Sequence, residues 1–540
     1  MRLPGMKYKS GKKKVQQVKF GGLDHRPGCK DGYLWDMNGI SGDHFPLLAT
    51  RYQYHPVEIS NSKVEEMFYV RKTAKDGGSE KLYCYVRDGY LYVGVKQVCK
   101  LRSLKSGEVR CFAQLQDLLV VFPDKIFYNV ELETAGPLED SAEAKCTFRN
   151  GTYKDAPALA NTIYCEGAPW GDYNFHVGDA ITISGSQYND GTYIIREMEG
   201  DELRFSENCF HLAGDSGTEE YEEYIRITRE VPDLVCVFTH NNRLWGADKN
   251  TIYVSRLGDA FVWNNKDGDK NCWQWEPGSG GSFTAGIVCR GYPTFFKEDM
   301  IYRIYGSVPS NFSVTETPGK GVATRGKKSL AIAGNTFFYL SNQGIMAYEG
   351  GLPTYIGEPM GTNYILDCVA GSTEDKYYAS IKSGGSWRVY SYDTKLGLWY
   401  IEDSGEIYCF YYNNDRLWFS KSGGIWEQGR EGYVFSLDGD PLTWYAEFGD
   451  FTEDEGNKKG VSQIQIRTTL ENGATMQVLI QYDSDGRWQH VGKEIRAAGK
   501  QSFVLPLFPR RCDHYRLKLE GVGGMMIHSI TREFYVGSER

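Results

Sequence analysis

The sequence predicts an all-β protein of several domains: an irregular β-propeller, a small β-barrel domain inserted into it, and a C-terminal β-sandwich of jelly-roll type. Three observations predict this fold class. Helical periodicity is nearly absent, and short alternating or apolar runs bounded by Gly, Asn and Asp recur about every ten residues. The 540 residues also include 62 Gly, 38 Tyr, 26 Phe and 12 Trp. Aromatic residues suit half-buried strands, and Gly supplies the positive φ of tight turns.

The repeated unit is a polar turn followed by a short aromatic-rich strand. Its clearest copies are Asn-Asn-Arg-Leu-Trp at 241–245 and Asn-Asn-Asp-Arg-Leu-Trp at 413–418. Related segments lie at 87–94, 115–122, 334–348 and 386–400. A single hairpin of this kind cannot bury its own faces, whereas hairpins stacked as propeller blades bury each other. A stack of separate β-sandwiches is the alternative.

Changes in pattern along the chain predict five segments. Between 139 and 223 there are 18 acidic and five basic residues, a net charge of −13, and blade-type patterning resumes only at Leu234. After about 443, long period-two runs replace the short hairpins. The segments are a basic N-terminal arm with the start of the propeller (1–60), the first part of the propeller (61–136), an acidic inserted domain (137–230), the second part of the propeller (231–442) and the sandwich (443–540).

Two basic clusters are candidate subunit contacts. The first 30 residues carry nine Lys or Arg against one acid, Asp24, so that a local charge of +8 leaves −17 for the rest of a chain of net −9. Such an arm is either a solvated tail or a segment that docks on an acidic partner or nucleic acid. The candidate residues in the arm are Lys12, Lys13 and Lys14. In the sandwich they are Arg510, Arg511 and Arg516, for which ion pairs within the chain are the alternative.

The 13 cysteines are scattered singly, without a CxxC pair or zinc spacing, which favours buried thiols in a reducing compartment. The basic N-terminal segment lacks the apolar core of a signal peptide. No apolar window of about 18 residues predicts a membrane span.

Catalytic motifs are missing from the sequence, so no catalytic, cofactor-binding or metal-binding residue is predicted, and the chain is interpreted as a protein without enzymatic activity. HExxH, GxSxG and GxGxxG do not occur in the required contexts. The segment 265–271 offers oxygens to a calcium ion, but Lys270 stands where an EF-hand loop needs Gly, which favours a polar loop. Residues 482–488 resemble a sialidase Asp-box only loosely and are better interpreted as a hairpin turn.

Several segments resemble proteins of bacteriophage tails. Residues 240–246 together with 251–263 are similar to a segment of tail nozzle proteins and of the packaged-DNA stabilisation proteins of short-tailed phages. Residues 39–51 resemble the stretch that introduces the propeller of such proteins, and residues 481–488 and 509–517 resemble their C-terminal sandwich. The resemblance covers most of the chain except 137–230.

This resemblance implies a structural virion protein, assembled in the host cytoplasm and located in the tail. It implies a homo-oligomeric ring, expected to have six copies, that docks below the portal and adaptor rings around double-stranded DNA without reading its sequence. No catalytic residues or cofactors are carried over. The alternative function is a receptor- or glycan-binding baseplate or adhesion protein that uses aromatic residues such as Trp273 and Trp275. A propeller glycosidase is a third hypothesis.

Overall fold

The computed structural model describes residues 11–27, 29–74, 78–152, 159–167, 170, 173, 175–206, 208–212, 221–263, 271–361, 364–430, 442–496 and 498–536. These residues form two compact units. One consists of the chain up to Met67, Lys328–Tyr348 and the chain from Thr354; the other consists of Phe68–Lys327 and Glu349–Pro353. Regular structure is almost entirely β, which confirms the predicted fold class. Short 3-10 helices lie at Pro309–Asn311, Thr324–Gly326 and Glu358–Met360. Within the described ranges no helix is long and apolar enough to cross a membrane.

The N-terminal segment supplies five short strands. They are β1 (Lys12–Gln17), β2 (Leu34–Asn38), β3 (Ile40–Ser41), β4 (Leu48–Thr50) and β5 (His55–Ile59). β1 and β4 pair with the last strand of the chain, Met525–Val536, and β2 pairs with Thr443–Phe448. Segment 1–60 is predicted to be a basic arm with the start of the propeller. The structure instead joins four of its strands to the C-terminal strands, because short strands become stable only when a sheet edge pairs with them.

Two four-stranded antiparallel sheets follow. Their strands are β6 (Val64–Thr73), β7 (Ser79–Arg87), β8 (Tyr90–Val93), β9 (Lys96–Lys100), β10 (Cys111–Leu115), β11 (Leu118–Phe122), β12 (Ile126–Asn129) and β13 (Thr134–Pro137). Asp88 and Gly89 both have positive φ in the two-residue turn between β7 and β8, as a type I′ hairpin turn requires. Apolar side chains of the two sheets, such as Val86, Leu91 and Val121, share one core.

The acidic insertion follows β13 as one seven-stranded antiparallel sheet around its own core, which includes Phe148, Trp170 and Ile181. Its strands are β14 (Asp140–Thr152), β15 (Leu159–Tyr164), β16 (Ala180–Ser184), β17 (Gly191–Ile194), β18 (Glu197–Glu199), β19 (Glu202–Arg204) and β20 (Tyr221–Arg229), in the order β17-β16-β20-β14-β15-β19-β18. β18 and β19 form a hairpin that turns at Gly200 and Asp201.

One lysine holds both ends of this insertion. The Lys125 ammonium donates to Glu139 at 2.6 Å and to the Val231 carbonyl at 2.9 Å, and its Nζ lies 2.7 Å from Asp233 Oδ1. Because Glu139 precedes β14 and Val231 follows β20, the segment enters and leaves the sheet at one point. The insertion can therefore fold around its own core without interrupting the sheets that flank it.

The next two four-stranded sheets resume the blade pattern. Their strands are β21 (Cys236–His240), β22 (Arg243–Ala247), β23 (Ile252–Val254), β24 (Trp273–Trp275), β25 (Ala285–Cys289), β26 (Tyr292–Phe296), β27 (Met300–Tyr305) and β28 (Ser313–Pro318). Trp245, Phe295 and Tyr302 belong to a core that both sheets share. Leu244 and Trp263 pack instead with residues of the sheet β10–β13. Successive sheets of this unit therefore bury each other, as the blade hypothesis expects.

Three further four-stranded sheets bring the number in the described residues to seven. Their strands are β29 (Ala331–Ala333), β30 (Thr336–Leu340), β31 (Ile345–Tyr348), β32 (Thr354–Tyr355), β33 (Ile365–Ser372), β34 (Lys376–Ser383), β35 (Ser386–Asp393), β36 (Leu398–Ser404), β37 (Ile407–Asn413), β38 (Arg416–Lys421) and β39 (Gly424–Glu427). The last sheet has only three strands from its own part of the chain, and β5 supplies the fourth by pairing with β39.

The C-terminal strands and β1–β4 form two six-stranded sheets around a common core. The added strands are β40 (Thr443–Phe448), β41 (Lys459–Leu470), β42 (Thr475–Tyr482), β43 (Gln489–His490), β44 (Ile495–Arg496), β45 (Gly499–Pro506), β46 (Tyr515–Val522) and β47 (Met525–Val536). One sheet has the order β3-β4-β47-β41-β45, with β1 also on β47; the other has the order β2-β40-β46-β42-β43, with β44 also on β42. Ile464 and Ile530 lie in the first sheet, and Met476 and Leu517 lie in the second; all four are buried in the common core.

Two of the 13 cysteines are not free thiols. Cys146 and Cys165 form a disulfide within the inserted sheet, so the expectation of thiols throughout is wrong for this pair. Their Cα atoms lie 4.4 Å apart next to the Thr147–Tyr164 register pair, a separation that a disulfide can bridge. Seven other cysteines are buried free thiols, and burial raises the pKa of Cys236 and Cys368 to about 12.

The first strands of neighbouring sheets approach closely. The Gln114 side chain on β10 accepts from the Arg71 N–H at 2.7 Å and donates to the Arg71 carbonyl at 2.6 Å, which ties β10 to β6. On β33, a Cβ added at Gly371 would lie 2.3 Å from Cβ of Phe410 on β37. Only a residue without a side chain allows this approach.

We therefore expect Gly371→Val to lower the melting temperature by several degrees, because overpacking of this kind costs about 1–3 kcal/mol. Gly449→Val is the matched control, since nothing lies within 4 Å of its added Cβ. Thermal unfolding followed by circular dichroism measures both variants. Equal melting temperatures for the two would contradict the close approach of β33 and β37.

Candidate functional site

The three predicted contact lysines lie on β1. Lys12 forms an ion pair with Glu533, which raises the pKa of Lys12, and Lys13 Nζ lies 2.8 Å from Glu455 Oε2. Lys14 is exposed. Two of the three lysines thus make ion pairs within the chain.

The three predicted arginines lie in two places. Arg510 and Arg511 are exposed in the loop after β45, where Arg510 Nη1 lies 3.6 Å from Asp485 Oδ2. Arg516 lies on β46 and pairs with Asp450 and, at 3.5 Å, with Glu447. The structure therefore does not gather the three arginines into one cluster, and Arg516 follows the alternative of a pair within the chain.

A cleft borders Arg516 and brings together residues that are far apart in the sequence. We call it the β2/β35 cleft; its volume is about 350 Å³. Its lining includes His25, Trp35, Asp36, Ser383, Ser386, Arg388, Tyr390 and Glu447. Strands β2 and β40 of the sandwich form one wall, and β34 to β36 of a four-stranded sheet form the other.

An ion pair crosses this cleft. Arg388 Nη1 donates to Asp36 Oδ1 at 2.6 Å, and Arg388 Nη2 donates to Asp36 Oδ2 at 3.4 Å. Tyr445 donates its hydroxyl hydrogen to Asp36 Oδ2 at 3.0 Å. Burial acts to lower the pKa of Arg388, but the pair with Asp36 outweighs it and raises the pKa. Burial and then the Asp36 charge raise the pKa of Tyr445 to about 12.

A second carboxylate lies beside the first. Glu447 is the register partner of Asp36 across β2 and β40, so the two side chains share one face. Burial raises the pKa of Glu447, and the Asp36 charge adds to this; Arg516 opposes both. The Arg516 guanidinium also lies 5.2 Å from the Trp35 ring, and the His25 ring lies 4.7 Å from it. The cleft thus holds the Asp36–Arg388 pair and an aromatic wall, and the Glu447–Arg516 pair lies at its border.

Sequence reasoning missed this cleft apart from Arg516. Trp35, Asp36, Arg388 and Glu447 stand in no motif, and only the pairing of β2 with β40 brings them together. Two polar residues opposite each other on paired strands can indicate such a site, but they can be recognised only when the strand pairing is already known.

The other predicted candidates lie elsewhere. Trp273 and Trp275 are half-buried against Phe312 and Tyr302, with their rings parallel and 6.5 Å apart, so they serve the core of their sheets. Residues 265–270 of the calcium candidate lie outside the described residues. In the described ranges, no group of three or more His, Cys, Asp or Glu side chains is placed to hold a metal ion.

Comparisons with known proteins give only distant likenesses. No family model matches the chain, and no curated protein matches it. Among solved structures, BamB of Moraxella catarrhalis is 8% identical with a TM-score of 0.29, covering 74% of this chain and 100% of its own. PorZ of Porphyromonas gingivalis is 10% identical with a TM-score of 0.25, covering 88% and 89%. The fold assignment rests on the sheet topology described above.

Replacing Arg516 is expected to destabilise the protein more at neutral than at acidic pH. Arg516→Met removes the nearer of the two cations that lower the pKa of Glu447, the other being Lys518, so that pKa rises further above the ordinary value of 4.5. An acid whose pKa is raised in the folded state loses stability as pH rises through that pKa. The melting temperature should therefore fall by a few degrees at pH 7, as about 1–2 kcal/mol would produce, and by less near pH 4.5.

Lys14→Met is the control for this measurement, because Lys14 is exposed and surface substitutions of this kind usually stay within about 0.5 kcal/mol. If Arg516→Met lowered the melting temperature more at acidic than at neutral pH, the raised pKa of Glu447 would not be its cause, and the prediction would be contradicted.

Proposed function

We propose that this chain is a structural virion protein of a bacteriophage, a ring-forming subunit of the tail nozzle or of the head-to-tail completion assembly that lines and closes the DNA channel. Its partners are further copies of itself, the adaptor or portal ring or other tail proteins, and double-stranded DNA that passes through the ring. The proposal draws on an open sheet edge, on the distribution of charge, and on the resemblance of residues 240–263 to tail nozzle and DNA-stabilisation proteins.

The open edge of the sandwich is the observation that carries the assembly part of the proposal. β45 pairs with β41 on one side, and no strand of the described chain pairs with its other side. Val504 on this strand is 54% exposed and Phe508 just beyond it is 98% exposed. Unpaired edges with exposed apolar residues are where other chains add to a sheet. Arg510 and Arg511, two of the candidate contact residues, follow Phe508 closely in the sequence.

Opposite charges on different segments favour contact between copies. Residues 486–511 hold six Lys or Arg and one Glu, a net charge of +5, whereas residues 139–223 have a net charge of −13. A contact between two different surfaces of identical subunits is heterologous, and repeated contacts of this kind form a ring when the rotation between copies closes. Complementary charge favours that association over contact between like surfaces.

The acidic balance of the chain also suits a DNA channel. Outside the first 30 residues the net charge is −17. An acidic wall repels the phosphate backbone, so DNA slides past it instead of adhering. This part of the proposal concerns passage of DNA and requires no base-specific contact.

Negative-stain microscopy and native mass spectrometry of the purified protein test the assembly. We expect a closed ring of identical copies, with six expected from the resemblance. The double variant Val504→Lys/Phe508→Ser should be monomeric, because it charges the open edge and removes its largest apolar side chain. Val95→Lys is the matched control, since Val95 is fully exposed in the other compact unit.

Two results would contradict the proposal. One is a wild-type protein that stays monomeric both alone and with the adaptor ring. The other is antibody labelling that finds the protein at fibre tips, away from the axis of the tail.

A further inference from the structure

The β2/β35 cleft has the size and opening of a small-molecule site. Its volume of about 350 Å³ lies within the ~300–1,000 Å³ of ligand pockets. Trp35 at its wall is 38% exposed. The cleft belongs to one compact unit, because β2, β35 and β40 all lie in the unit that contains both ends of the chain.

The charges of the cleft favour a neutral ligand. Asp36, Arg388 and Glu447 line the cleft, and each already has an oppositely charged partner. Asp36 pairs with Arg388, and Glu447 pairs with Arg516, which lies beside the cleft and also binds Asp450. A site for a phosphate or a carboxylate would hold a cation in excess, and a site for an amine would hold an anion in excess. Among the Asp, Glu, Lys and Arg side chains that line the cleft, none is left without an oppositely charged partner to bind a charged ligand.

Hydrogen-bonding capacity nevertheless remains. A guanidinium carries five N–H donors, and the bonds of Arg388 to Asp36 and Tyr445 involve only its two Nη atoms. Ser383 and Ser386, at the turn between β34 and β35, line the same cleft. Their hydroxyl groups donate to the carbonyls of Tyr364 and Ser383, so they offer acceptors to a ligand. The cleft therefore offers donors and acceptors to a ligand rich in hydroxyl groups.

An aromatic wall completes the arrangement. Trp35, Tyr390 and His25 all line the cleft. Aromatic side chains pack against apolar C–H surface and carry a polar atom at the ring edge. A sugar ring combines such C–H faces with equatorial hydroxyl groups, and carboxylate and guanidinium groups bond adjacent hydroxyls in pairs.

We propose that the β2/β35 cleft binds a neutral saccharide of one or two rings. Trp35 packs against the sugar ring, and Arg388 and Asp36 bind its hydroxyl groups. Binding at this site is independent of ring assembly, since the cleft lies within a single chain.

Ligand-observed NMR with the full-length protein tests this inference. The probes are glucose, galactose, mannose, rhamnose, N-acetylglucosamine, maltose and lactose, with glucuronic acid and glucosamine as charged comparisons. We expect at least one neutral sugar to bind, with both charged sugars weaker. Trp35→Ala should weaken that binding about tenfold or more, a difference that titration resolves readily.

Two further variants keep the result interpretable. Ser386→Trp fills the cleft from an exposed position and leaves both ion pairs in place, so it should also abolish binding if the sugar sits there. Tyr292→Ala is the matched control. The exposed fraction of Tyr292, 39%, is similar to the 38% of Trp35, and Tyr292 lies on β26 in the other unit. It should bind sugar as the wild type does.

The inference is overturned if none of the neutral sugars binds, if only a charged sugar binds, or if Trp35→Ala and Ser386→Trp both bind as strongly as Tyr292→Ala. Because these measurements report binding within one chain and not assembly, their failure leaves the ring proposal standing, and loss of the ring leaves the saccharide site standing.

Discussion

Backbone pairing between N-terminal and C-terminal strands is the constraint on which the compact unit that contains both ends of the chain depends. β1 and β4 pair with β47, β2 pairs with β40, and β5 completes the sheet of β37–β39. Without these strands, both sandwich sheets would lose members and the last four-stranded sheet would keep three. A missing strand exposes a row of N–H and C=O groups and the apolar faces beneath it. The β2/β35 cleft depends on the same pairing, because Asp36 reaches Arg388 only from β2.

Ion pairs with buried partners also fix the same N-terminal segment through side chains. The buried pair of Arg532 on β47 and Glu453, with Nε and Oε1 at 2.6 Å, extends to Asp31 before β2 at 3.0 Å. Asp43, after β3, pairs with Lys376 on β34; burial acts to raise the pKa of Asp43, but the ammonium outweighs it and lowers that pKa. Removing one partner of the fully buried Arg532–Glu453 pair costs about 3–5 kcal/mol, because the other charge stays uncompensated. These pairs thus specify where the N-terminal strands dock, and with them the geometry of any site that the strands form.

Local features of the fold were predictable from the sequence, and partners of distant strands were not. The two clearest copies of the repeated unit, 241–245 and 413–418, contain the same type of turn. Both central residues of each two-residue hairpin turn have positive φ: Asn241 and Asn242 in the first, Asn414 and Asp415 in the second. The long period-two runs noted after about 443 correspond to long strands such as β42, Thr475–Tyr482. The pairing of β1 to β4 could not be predicted from the sequence. The hydrophobic pattern of a short strand shows which of its faces is buried, but it does not show which strand lies beside it. For the same reason the sequence indicated Arg516 but not Asp36 or Arg388, and it did not indicate the Cys146–Cys165 disulfide.

Hydrogen exchange measured by mass spectrometry on the intact protein tests the end-to-end pairing most directly. The account predicts that peptides covering 12–17 and 55–59 exchange slowly, at rates close to those of 530–535 and 424–427, because each segment shares backbone hydrogen bonds with its partner. Rapid exchange of 12–17 and 55–59, with 530–535 and 424–427 still protected, would contradict it.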